Sequence, residues 1–115
     1  MKHQFFYSHL VETSDIKIKL SELDLSGDEK THLTSLMEAN VHSIVIETVL
    51  SELSAQDKKT FLKNLISNDH QKIWEHLNSR IGKLEDKIKT AVENLKIEFL
   101  KDIVQARNLS QENKS

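Results

Sequence analysis

The chain contains no cysteine, no proline and only two glycines among its 115 residues. Without cysteine there can be no disulfide framework, no thiolate nucleophile and no cysteine-ligated zinc site. Proline ends helices because it lacks an N–H donor and clashes with the preceding turn, so its absence permits long helices. The isolated glycines Gly27 and Gly82 also exclude a glycine-rich phosphate loop. These absences favour a helical chain without a familiar cofactor-binding motif.

Long hydrophobic runs are also missing. The longest purely apolar run is Ile44 to Ile46, far short of the roughly 20 residues that a membrane span needs. Residues 1–7 contain a charge and three aromatics, but they lack the sustained apolar core and cleavage site of a signal peptide. We therefore expect a cytoplasmic protein without a membrane partner.

Charged residues are frequent but evenly mixed. The chain has 16 basic and 18 acidic residues, a net charge of −2, and a hydrophobic share of 37%. This combination fits amphipathic helices that bury one stripe and expose the remaining surface. A nucleic-acid-binding domain normally has a basic excess or a concentrated basic stripe, so nucleic acid is an unlikely partner here, although it is not excluded. The length is that of a single domain.

From Ser26 onward, capping sequences followed by apolar repeats predict helices. Ser26 and Glu29 have the spacing of a capping box, in which each side chain accepts a hydrogen bond from the other residue's backbone N–H. Apolar residues then recur at three- and four-residue steps, which predicts a helix of about 25 residues. Ser54 starts a second, shorter helix that carries Phe61, and Asn68 is predicted to cap a third.

A second long helix is predicted from about Lys83 to Ala106. Gly82 precedes it and marks a break, because glycine tolerates the left-handed conformation that ends helices. Glu93 and Lys96 are predicted to form one of several ion pairs on its outer face. Residues 1–107 are therefore predicted to form one domain, and residues 108–115 a disordered polar tail. The predicted fold class is all-α, a compact bundle of four to five helices, two of them long.

Residues 1–25 are harder to interpret. Residues 16–20 alternate apolar and polar side chains, which is typical of a short strand. A lone strand has no visible partner, however, and Leu20, Leu23 and Leu25 also fit a short helix. We favour a helix or an irregular packed segment.

Residues 20–104 resemble a family of small, uncharacterised all-helical proteins from bacteria of the reduced-genome candidate phyla. The resemblance lies in the phrases at residues 49–54 (Val-Leu-Ser-Glu-Leu-Ser), 61–62 (Phe-Leu) and 73–77 (Ile-Trp-Glu-His-Leu). The family commonly has an Ile-Pro pair where this chain has Ile81 and Gly82. The resemblance implies a helical architecture; it implies no activity and no functional residue.

Catalytic and metal chemistry find little support in the sequence. A metal site on helices needs two or three ligands brought onto one face, and His70 and His76 are six residues apart, on different faces. The carboxylates have nearby lysines or capping positions, and Ser26 and Ser54 are better explained as helix caps than as nucleophiles. We expect no enzyme activity, no cofactor and no metal.

The three consecutive aromatics Phe5, Phe6 and Tyr7 are the best candidates for a partner contact. Three neighbouring rings cannot all point inward from one helix or strand, and exposed aromatics often anchor interfaces. The equally weighted alternative is that they fold back as a lid over the core. Seven lysines form a possible basic patch, although solvated faces explain them better: Lys58, Lys59, Lys63, Lys83, Lys87, Lys89 and Lys96.

The two long apolar stripes, on a chain with few other helices to cover them, lead to the main functional hypothesis. We expect a non-enzymatic protein–protein interaction module that binds another protein or associates with itself, as in a homodimer. The alternative is a weak nucleic-acid- or ribosome-associated factor that acts through the lysine-rich helix faces.

Overall fold

The computed structural model describes residues 5–112, and their side chains as far as Asn108. Five helices make up the fold, and no strand occurs among the described residues. The predicted all-α class, with four to five helices of which two are long, is confirmed. The helices are α1 (Ser14–Glu22), α2 (Gly27–Ser51), α3 (Ala55–Ser67), α4 (His70–Arg80) and α5 (Leu84–Glu112).

Local capping signals set the starts of α2 and α3. The Ser26 hydroxyl accepts from the Glu29 backbone N–H at 3.1 Å, and the Glu29 carboxylate accepts from the Ser26 N–H at 3.0 Å. Both halves of the predicted capping box are therefore present, and α2 has the predicted 25 residues. At α3, the Ser54 hydroxyl accepts from the Asp57 N–H at 3.2 Å. The sequence predicted both starts correctly because each signal lies within four residues.

The two long helices, α2 and α5, form the most extensive helix pair of the fold. Glu52, just after α2, pairs with Lys87 near the start of α5 at 3.1 Å, as expected of antiparallel neighbours. The molecule measures 56 × 28 × 19 Å because these helices are each about 40 Å long. The buried residues form one connected core, to which α1, α3 and α4 also contribute. Most of it comes from two facing apolar stripes: Met37, Val41, Val45 and Val49 of α2, and Leu84, Ile88, Val92 and Phe99 of α5.

The turn between α3 and α4 differs by one residue from the prediction. Asn68 ends α3 in the left-handed conformation, with φ of 54°, and Asp69 caps α4 by accepting from the Lys72 N–H at 3.1 Å. The predicted capping of α4 by Asn68 is therefore wrong. Asparagine tolerates the left-handed conformation better than most residues, which leaves the capping position to the following aspartate.

The break before α5 lies at Gly82 as predicted, but the predicted backbone conformation is wrong. The left-handed residue is Lys83, with φ of 55°, and neither glycine has a positive φ. Ile81 is extended, so the chain reverses over residues 81–83 and α5 begins at Leu84. At its other end α5 continues to Glu112, past the boundary drawn at residue 107; residues 113–115 lie outside the described part of the chain.

Within residues 5–25, Ser14–Glu22 form the helix α1 and residues 5–13 form an irregular packed segment; the interpretation that we favoured over a strand is confirmed for these residues, and residues 1–4 lie outside the described part of the chain. Ile16 and Leu20 are one helical turn apart and both are buried, whereas Ile18 between them is exposed. An alternating pattern of three apolar residues therefore supplies only two core residues once the backbone is helical. None of the helices among residues 5–112 is long and apolar enough to cross a membrane.

Candidate functional site

Residues 5–13, here called the N-terminal segment, fold back onto the helices through two of their three aromatics. Phe6 and Tyr7 are each 3% exposed, and Phe5 is 42% exposed. The indole Nε1 of Trp74 donates to the Phe6 carbonyl at 2.7 Å, and the Phe6 ring packs edge-on against Phe61 and Trp74. Phe6 and Tyr7 thus close the core as a lid. Phe5 is the one of the three predicted contact residues whose ring remains accessible.

Tyr7 and His42 are the polar members of the aromatic cluster around Phe5. The Tyr7 hydroxyl lies 2.8 Å from His42 Nδ1. Phe5 stacks on the Tyr7 ring with centroids 5.3 Å apart and approaches the imidazole at 4.7 Å. Burial raises the pKa of Tyr7 from 10.0 to about 12. The phenol is therefore protonated at neutral pH, and when it donates to Nδ1 the imidazole proton lies on Nε2.

A groove of about 940 Å³ opens beside this cluster, between the N-terminal segment and the middle of α2. We call it the aromatic groove. Phe5 and Tyr7 form one wall, and an exposed ion pair between Lys17 and Glu38, at 3.9 Å, lies at the rim. Its volume falls in the range of protein binding sites, which combine apolar walls with a few polar groups. The remaining lining residues are Ser8, Val11, Thr13, Ala39, Val41, His42 and Ser43.

We expect the stability of the fold to decline at alkaline pH through Tyr7. Its pKa is about 12 in the folded chain and 10.0 as a free phenol, so the folded state holds the proton more tightly. This contribution is fully present below pH 10 and is lost as the pH rises toward 12. Because Tyr7 is the single tyrosine of the chain, tyrosinate absorbance titrates it alone.

The matched variant is Tyr7→Phe, which retains the buried ring but cannot ionise. Its stability should decline less between pH 10 and 12 than that of the native chain. A native tyrosinate titration centred at pH 10 would contradict the buried, hydrogen-bonded phenol.

A second polar cluster links the start of α3 to α4 around Asp57. His76 Nε2 lies 3.2 Å from one Asp57 carboxylate oxygen, with Arg80 Nε at 3.4 Å from the same oxygen. The Ser54 hydroxyl donates to the other oxygen at 3.1 Å. The hydrogen bond from His76 is the main cause that holds the pKa of Asp57 below its usual value, with smaller contributions from Ser54 and Arg80.

This cluster contains serine, histidine and aspartate but not in the order of a catalytic triad. In a triad the histidine lies between the other two and removes the serine proton. Here both Ser54 and His76 contact Asp57, so the serine hydroxyl donates to the carboxylate and has no histidine beside it as a general base. Ser54 also accepts the capping hydrogen bond of α3. The contacts of Asp57 with His76 and Arg80 hold α3 against α4. They do not activate the Ser54 hydroxyl as a nucleophile.

Lys96 is the buried charged residue among the side chains of residues 5–108, with a side chain only 6% exposed. Its ammonium lies 3.3 Å from Asp15 of α1 and 3.2 Å from Glu93 of α5. The predicted pairing of Glu93 with Lys96 is present, but its predicted place on the outer face is wrong for Lys96. Lys96 follows Ile88 and Val92 at four-residue steps, so it lies on the buried stripe. A smaller cavity of about 440 Å³ adjoins it.

The seven lysines of the predicted patch have different surroundings. Lys58, Lys59 and Lys63 lie exposed on α3. Lys87 forms an ion pair with Glu52, and Lys96 forms ion pairs with Asp15 and Glu93. At least two of the seven lysines are therefore neutralised by carboxylates of the same chain.

The histidines are scattered through the fold. His42 contacts Tyr7, His76 contacts Asp57 and His70 contacts Asn68; His3 lies outside the described residues. Among the side chains that the structure describes, those of residues 5–108, no three histidine, aspartate or glutamate side chains converge as metal ligands would.

Comparison with known proteins adds no relative. No protein-family model, curated protein or solved structure matches the chain. The resemblance to the candidate-phyla family therefore stays a prediction, and the site has to be interpreted from its own geometry.

Proposed function

We propose that the chain is a non-enzymatic protein–protein interaction module that receives an apolar side chain of its partner in the aromatic groove. The observation that carries the proposal is the accessible Phe5 ring at the wall of a 940 Å³ groove. Aromatic residues beside a pocket are frequent anchors of protein interfaces. A cytoplasmic location is part of the proposal, and the cysteine-free composition is compatible with a reducing compartment.

The groove combines the properties that a partner side chain requires. Val11 and Val41 supply apolar contact, and the stacked rings of Phe5 and Tyr7 hold one wall in place. The Lys17–Glu38 pair supplies one charge of each sign at the rim, where charges contribute more to orientation than to affinity. A second copy of the chain is one partner that the proposal includes, and a mass measurement in solution distinguishes that case.

The test is affinity purification of the native chain, followed by binding measurements on the variant Ala39→Arg. Ala39 lies exposed on α2 and lines the groove, so an arginine there occupies the space without disturbing the core. We expect the captured partner to bind at least tenfold more weakly, because one blocked interface anchor costs upward of about 1.4 kcal/mol.

The matched control is Ala106→Arg, which introduces the same side chain at another exposed helical alanine. It should leave partner affinity unchanged, and both variants should unfold at the native temperature. A partner that binds Ala39→Arg as tightly as the native chain would show that the groove is not its docking site.

A further inference from the structure

The most exposed aliphatic side chain of the described fold is on α3. Ile66 is 87% exposed, and Leu62, one helical turn earlier, is 46% exposed. Residues four apart lie on the same face of a helix, so the two form one short apolar strip. Because this strip faces solvent while Phe61 of the same helix is buried, packing of α3 within the fold does not explain it.

Three lysines border this strip. Lys58 precedes Leu62 by one turn on one side, and Lys59 and Lys63 are one turn apart on the other. We call these five residues, Lys58, Lys59, Leu62, Lys63 and Ile66, the α3 ridge. None of the three lysines forms an ion pair with a side chain of residues 5–108.

The charge of α3 is opposite in sign to that of the whole chain. Its 13 residues carry three lysines and one aspartate, a net charge of +2, against −2 for the chain. The aspartate is Asp57, whose carboxylate contacts His76, Arg80 and Ser54. The ridge is therefore a local positive surface on an acidic protein, and it suits a negatively charged partner.

The small size of the ridge favours a lipid surface over a folded protein. A 13-residue helix is about 20 Å long, and one face of it presents much less than the roughly 800 Å² that each partner buries in a stable protein complex. Neither cavity described above is lined by α3. A lipid surface needs no matching shape, because aliphatic side chains enter the headgroup region while lysines contact the phosphates.

We propose that the α3 ridge binds anionic membrane surfaces, with Ile66 and Leu62 inserted among the headgroups and the three lysines against lipid phosphates. This contact is peripheral and reversible. It departs from the sequence-based expectation of no membrane partner, which rested mainly on the absence of an apolar run long enough to span a membrane. It uses a surface separate from the aromatic groove and does not depend on the proposed partner.

The experiment is co-sedimentation of the full chain with vesicles of phosphatidylcholine alone or with one-third phosphatidylserine. We expect sedimentation with the anionic vesicles only, and its loss at high salt, because salt screens exposed charges. Reversing the three ridge lysines together (Lys58→Glu, Lys59→Glu, Lys63→Glu) should weaken binding at least about a hundredfold, since each lysine near an anionic surface contributes roughly a factor of five and the introduced glutamates add repulsion. Ile66→Ser should weaken it several-fold.

The control variant reverses three other exposed lysines that form no ion pair with the described side chains, and so has the same net charge: Lys19→Glu, Lys72→Glu and Lys101→Glu. Its binding should stay within a few-fold of native. Three results would overturn the proposal: equal sedimentation with both vesicle types, an equally large loss in the control, or full binding by the ridge variant. Binding to RNA or polyglutamate, without any to vesicles, would assign the ridge to a soluble polyanion and overturn it too.

Discussion

Replacing Phe61 by alanine should destabilise the fold by about 3–5 kcal/mol, the range for removing a fully buried aromatic ring. Phe61 is completely buried and packs edge-on against Phe6 at 5.7 Å. The substitution therefore opens a cavity where α3 meets the N-terminal segment. Small domains are stable by only about 5–15 kcal/mol, so the variant should lose a large share of its stability.

Urea unfolding followed by circular dichroism measures this effect. The matched control is Leu62→Ala, the neighbouring residue on the same helix, which is half exposed and should change stability by less than about 1 kcal/mol. The fluorescence of Trp74 gives a second measurement, because its indole is hydrogen-bonded to the Phe6 carbonyl. Equal losses for Phe61→Ala and Leu62→Ala would contradict the packing described for α3.

The second large effect on stability is expected at Lys96, where a negative side chain should destabilise the fold much more than a neutral one. Lys96→Glu places a carboxylate between Asp15 and Glu93 in a buried position. An uncompensated buried charge typically costs about 3–5 kcal/mol. Lys96→Met retains most of the volume and should stay within about 1 kcal/mol of native, because the carboxylates of Asp15 and Glu93 are mainly exposed and remain hydrated.

Thermal unfolding of the two variants tests this expectation, with Lys89→Glu as the control. Lys89 lines the same cavity but is exposed and forms no ion pair with the described residues, so its reversal should change stability by less than about 1 kcal/mol. If Lys96→Met proves as destabilising as Lys96→Glu, the ion pairs would contribute much more to the fold than their exposed carboxylates indicate.

The parts of the fold predicted correctly depend on signals between near neighbours. Ser26 and Ser54 cap helices through residues three positions away, so the sequence alone identifies them. The prediction from local capping signals was wrong at Asn68 and Asp69. Either of these adjacent residues can end one helix or cap the next. Only the path of the backbone decides which of them caps α4.

The candidate site could not be predicted as a whole because its contacts join distant residues. Tyr7 meets His42 across 35 positions, and Trp74 meets the Phe6 carbonyl across 68. The sequence raised a lid as one alternative for the aromatics, but it contains no local signal that selects Phe5 as the exposed ring. Lys96 was a missed signal: its four-residue spacing after Val92 placed it on the buried stripe.

The return of the N-terminal segment to α4 also affects the order in which the fold assembles. The α3–α4 pair forms between neighbours in sequence, whereas the bond from Trp74 to Phe6 closes a loop of 68 residues. The entropic cost of closing a loop increases with its length, and contacts between distant residues slow folding. The segment that supplies Phe5 to the groove thus docks through a long-range contact, so formation of the binding surface is coupled to a late step of folding.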